Sequence, residues 1–137
     1  MKEGTLCPFS KPIVGRWCRC VHARVSDRCA GKMICTRTTE YRASCVALAD
    51  LLRERSRFVL GSRNEDPELT HAQSMKIRCG GLLGMQRVLG IDTVVAPSVL
   101  EVIAATRARY ADLAGFPFNE IVKDIQAFSH RKKRSRH

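Results

Sequence analysis

No two cysteines in this 137-residue chain stand as CxxC, although the chain holds seven of them. That removes the hook on which most structural zinc sites are built. No run of about 18 apolar residues occurs, so no membrane partner or membrane-spanning helix is expected. The first residues, MKEGTLCPFSKPIVGRWCRC, contain no apolar stretch followed by a small-residue cleavage pattern. No secretory signal is read there, and a reducing cytoplasm is the expected setting. Gly80, Gly81 and Gly84 lack the spacing of a dinucleotide fingerprint, and no GK[ST] follows them. Aromatic residues are scarce at 6%, which leaves most of the core to Leu, Val, Ile and Ala.

Acidic residues are also few: 13 Asp and Glu stand against 24 Lys and Arg, a formal net charge of +11. The imbalance is local. Residues 1–64 carry thirteen basic and five acidic residues, a balance of +8, and residues 65–129 carry six and eight, a balance of −2. The tail 130–137 adds +5 with no acid. The positive field thus belongs to the front half and the tail, where it could meet nucleic acid or an acidic protein surface.

What is present in excess is sulfur near the start. Cys7, Cys18, Cys20, Cys29, Cys35 and Cys45 are six of the seven cysteines. Thiols crowded into a short polar stretch of a cytoplasmic protein point to a metal before disulfides. Four thiolates can hold one zinc ion or one iron–sulfur cluster. Between the two, the surplus of cysteines and the interleaved Arg16, Arg19, Arg24, Arg28 and Lys32 lean slightly to iron–sulfur. Either centre carries net negative charge that such cations offset. Cys18, Cys20, Cys29 and Cys35 form the core ligand set, with Cys7 and Cys45 as further candidates and His22 as a possible substitute. Cys18 and Cys20 would share a face if the stretch from Ile13 to Val25 is extended. The competing readings are disulfides, or separate buried thiols that behave as small hydrophobes.

Helical periodicity takes over after residue 38. A first helix is expected from about Thr39 to Leu60, with Thr38 as its cap and Tyr41, Cys45, Leu48, Leu52 and Val59 inward. Asp66 and Pro67 open a second, whose apolar face is Ala72, Met75, Cys79, Leu82 and Leu89. Its three glycines predict either a break near Cys79 or a neighbour packed very close. Pro97 opens a third helix with Val99, Ile103, Thr106, Tyr110 and Leu113 inward, and Pro117 a short fourth with Phe118, Ile121, Val122, Ile125 and Phe128.

The expected fold is therefore all-α. A small bundle of about four helices (39–129) carries an irregular, cysteine-rich, metal-stapled extension (1–38) and a basic tail (130–137). The expected function is a non-enzymatic, metal-binding accessory or regulatory protein, whose lobe contacts another protein through Trp17, Arg16, Arg19 and Arg24. Two alternatives are a zinc-stapled nucleic-acid binder and a thiol redox protein using Cys18 and Cys20. A thiol enzyme built on His71 and Cys79 is disfavoured, because residues eight apart on a helix are two turns from each other.

Overall fold

The computed structural model describes residues 5–27, 31–36, 39–56, 71–91 and 95–128. Cys29, Thr38, Val59, Gly61, Asp66, Pro67 and the tail lie outside them, as does the side chain of Tyr41.

The body is helical, as its periodicity predicts. Helix α2 runs Thr39–Ser56 and buries Cys45, Leu48, Ala49 and Leu52 along one stripe. The next helical stretch is α3, His71–Met75, followed by a π turn, Lys76–Gly80, and then α4, Gly81–Leu89. Helix α5, Val99–Tyr110, begins at Ser98, whose hydroxyl accepts the Glu101 N–H at 3.3 Å. That is one half of a capping box, and it places the first helical residue, Val99, two residues beyond the proline. A 3-10 turn, Phe118–Ile121, leads into α6, Val122–Ala127.

Of the two expectations for the three glycines, close packing holds and the break does not: the backbone stays helical from His71 to Leu89. The helix widens into the π turn at residues 76–80, and the glycines are where neighbours press in. A Cβ on Gly80 would lie 2.7 Å from Cα of Ile125, and one on Gly84 would lie 2.6 Å from Cβ of Ile121. Helix α6 therefore lies almost backbone to backbone on this surface. Arg87 fastens it from the side, with its guanidinium 2.7 Å from one Asp124 carboxylate oxygen and 3.2 Å from the other. Ala72, assigned to the inner face of this helix, is exposed instead, while Met75, Cys79 and Leu82 are buried.

The N-terminal stretch is not irregular. It folds as β1 (Thr5–Leu6), a single helical turn α1 (Ser10–Val14), β2 (Ala23–Val25) and β3 (Met33–Cys35). The three strands form an antiparallel sheet in the order β1-β3-β2, with Cys35 opposite both Thr5 and Ala23. Each strand is two or three residues long, so the sheet has no strength of its own. It is bolted to the body at Arg19. The Arg19 N–H donates to the Pro97 carbonyl at 2.9 Å, its carbonyl accepts from Val99 N–H at 3.0 Å, and its Nε donates to the Ala96 carbonyl at 2.9 Å. Lobe and body also share one core: Cys7, Phe9 and Cys18 pack in the same cluster as Leu48, Leu52, Leu82, Met85, Val102 and Ile121.

Candidate functional site

Four cysteines line one small cavity together with His22, Pro8, Ala23 and Leu100: Cys7, Cys20, Cys35 and Cys45. Each arrives on a different piece of backbone. Cys7 opens a tight turn in which its carbonyl accepts the Ser10 N–H at 3.0 Å, and its sulfur accepts the Phe9 N–H at 3.4 Å. Cys20 opens a second turn, with its carbonyl accepting the Ala23 N–H at 3.1 Å. Cys35 ends β3, and Cys45 stands on the buried stripe of α2. His22 is held in the second turn, where its carbonyl accepts both the N–H and the hydroxyl of Thr36 at 2.9 Å. Cys7, Cys35 and Cys45 are buried, and Cys20 is half-buried.

The space between these side chains is about 10 Å³, roughly what one water molecule or one bare ion requires. Among the described residues, no three of His, Cys, Asp or Glu are already drawn into a group that could hold a metal ion. The six described cysteines are all free.

Burial pushes the Cys45 thiol up to about 12, and Cys7, Cys20 and Cys35 push it further in the same direction. Burial likewise raises Cys7, against the hydrogen bond from Phe9, with Cys20 and Cys35 adding to the rise. Arg42 opposes the shift at both residues. Thiolates gathered here repel one another, so several cannot coexist without a cation among them. A bound divalent cation inverts that balance and deprotonates its thiols outright. The Phe9 N–H is a donor aimed at sulfur, and it favours the thiolate form.

The other predicted residues are placed differently. Cys18 does not reach the cavity. The chain bends at Trp17 and Cys18 before Arg19 bridges to Ser98, and Cys18 lies in the core at 2% exposure while Cys20 lines the cavity. The two do not share a face, because residues 18–20 are not part of a strand. Burial raises the Cys18 thiol well above the usual range, with Cys79 adding to it. That is the reverse of what a redox cysteine needs. Trp17 is 4% exposed and packs edge-on against Phe128, with ring centroids 4.7 Å apart. Its ring fills a second cluster with Met75 and Cys79 and is not presented to a partner. Arg16, Arg19 and Arg24 are exposed. His71 is exposed at the start of α3, whereas Cys79 is buried and its thiol is raised to about 12, so the pair forms no nucleophilic centre.

Comparison with protein-family models, with curated proteins and with solved structures found no match. Among the described residues no helix is long and apolar enough to cross a membrane.

Proposed function

We propose that this is a small metal-stapled binding protein. One zinc ion, held by the thiolates of Cys7, Cys20, Cys35 and Cys45, fixes the basic lobe onto the helical body, and the lobe's outer face engages a partner protein. The observation that carries this reading is the convergence of four cysteines from two turns, a strand and a helix on one cavity. Four thiolates complete a tetrahedral shell, and the small volume suits a single ion better than a four-iron cluster. Closing the shell requires the side chains to draw inward, which is how metal binding would add folding energy to a lobe whose strands are short.

The partner face is the outer side of β2 and the turn before it. Arg24 and Val25 are exposed there, Val21 is 80% exposed, and Arg16 and Arg19 flank them. The strand is an edge of the sheet, and an open edge is a place where an extended peptide can add. The +11 net charge also favours a second reading, a zinc-stapled nucleic-acid binder. In that case affinity would fall steeply with added salt.

The test is elemental analysis and visible absorbance of protein purified without air. The expected result is one zinc per chain and no visible band. Cys20→Ser and Cys45→Ser lose the metal, while Cys18→Ser retains it. Brown protein containing iron and sulfide would assign a cluster to the same cysteines. Protein without stoichiometric metal would overturn the reading.

A further inference from the structure

A second, larger cavity of about 260 Å³ lies where the lobe meets the body, next to the thiol site. Cys7 borders both. Its charged lining comes from four separate segments: Lys11 on α1, Lys32 just before β3, Arg42 and Asp50 on α2, and Arg78 in the π turn. Four cations face one carboxylate, a local balance of +3.

Among the described residues, the side chains of Lys11, Lys32 and Arg78 make no hydrogen bond or ion pair. Arg42 spends only its Nε, donating to the Leu6 carbonyl at 3.1 Å, and that bond fixes the guanidinium at the rim. Arg78 is the most telling. It is half-buried, it sits beside the like-charged Arg53, and both burial and that neighbour lower its pKa against a weaker pull from Asp50. Holding a desolvated arginine next to another cation is unfavourable unless an anion completes the site. The π turn that carries Arg78 is itself a geometry found disproportionately at functional sites. Ser10 lines the same cavity; its oxygen accepts the Met33 N–H at 2.9 Å, which leaves its hydroxyl hydrogen to donate.

We infer that this cavity binds a small phosphate monoester. A dianionic phosphate matches the surplus of positive charge. Arginine forks recognise its oxygens with two parallel bonds, and lysines add point charge. The cavity is larger than a bare phosphate needs, and Leu6, Pro8, Val46 and Ala49 supply an apolar wall for a compact organic group. The site is an open-mouthed pocket between lobe and body whose volume of about 260 Å³ matches a small ligand. A bound monoester would bridge the two parts of the molecule at a point separate from the thiol cavity, and the inference does not depend on which metal, if any, the thiols hold.

The test is calorimetric titration of the full-length protein with inorganic phosphate, with phenyl phosphate and with a twelve-nucleotide single strand. Phenyl phosphate is expected to saturate one site and to bind more tightly than inorganic phosphate. Arg78→Gln weakens it by about tenfold or more, the scale of one lost hydrogen bond to a charged group. Lys11→Gln, on an exposed residue whose loss leaves the core intact, weakens it by several-fold and keeps the test decisive if the Arg78 variant misfolds. Absence of saturable phenyl phosphate binding overturns the inference. So does binding that both variants leave unchanged, or binding of the nucleotide strand alone.

Discussion

The two parts of this molecule bury different things. The body buries Leu48, Leu52, Leu82, Met85, Val102, Ile121 and Ile125 at 1% exposure or less, and its helices meet at glycines that let backbones touch. The lobe buries Cys7, Cys18 and Cys35 beside Phe9, Trp17 and Ile34, while Leu6, Val14, Val21 and Val25 remain exposed. Burial of apolar area is enough to explain the body. The lobe, with strands of two or three residues, draws its order from Phe9 and Cys18 packed into the body's core, and the proposed metal would add to it.

That contrast can be broken experimentally, most forcefully by chelation. Removing the proposed zinc is expected to release the lobe while the body stays folded. Hydrogen exchange would accelerate throughout residues 5–36 and remain slow in α4, α5 and α6. Loss of protection everywhere at once would mean that the lobe is an integral layer of the core and not a stapled part.

A substitution in the body gives a smaller, opposite signature. Gly84→Ala forces a methyl group against Ile121 and is expected to cost about 1–3 kcal/mol, read as a lower midpoint in urea, with metal content unchanged. Ser98→Ala removes the cap of α5 and is expected to cost about 1 kcal/mol. Because the cap adjoins the Arg19 anchor, it would loosen the lobe's attachment more than the body's centre.

The subtlest effect is alkaline. Burial pushes the Cys79 thiol up to about 12 in the folded protein, from about 8.5 in an unfolded chain. A thiol raised in the folded state stabilises fully below the unfolded value, and its contribution is lost as pH rises through the folded one. Stability should decline from about pH 8.5 toward 12, and Cys79→Ala should flatten that decline. An equal slope in the variant would assign it to other groups.

How much of this was legible depended on whether the cause was local. Residues 39–56 announced a helix because Cys45, Leu48 and Leu52 repeat at helical spacing. Gly80 and Gly84 announced close packing because nothing else in a helix interior tolerates them so readily. The lobe's sheet was hidden, since Thr5–Leu6 or Met33–Cys35 is too short to show alternation. The parting of Cys18 from Cys20 was hidden for another reason. It is set by hydrogen bonds from Arg19 to residues 96–99, far along the chain, and nothing near residue 19 signals them. Cys45 read equally well as core or ligand because it is a core position that also faces the cavity. The basic cavity left no trace at all, since its cations are spread from Lys11 to Arg78 and meet only in the fold.

The central claim is that sulfur from four separate elements encloses one ion, and X-ray absorption at the zinc edge addresses it most directly. Four sulfur atoms at about 2.3 Å, with no lighter neighbour in the shell, is the predicted spectrum. A shell of nitrogen and oxygen, or a spectrum unchanged when Cys7, Cys20, Cys35 and Cys45 are all replaced by serine, would contradict it.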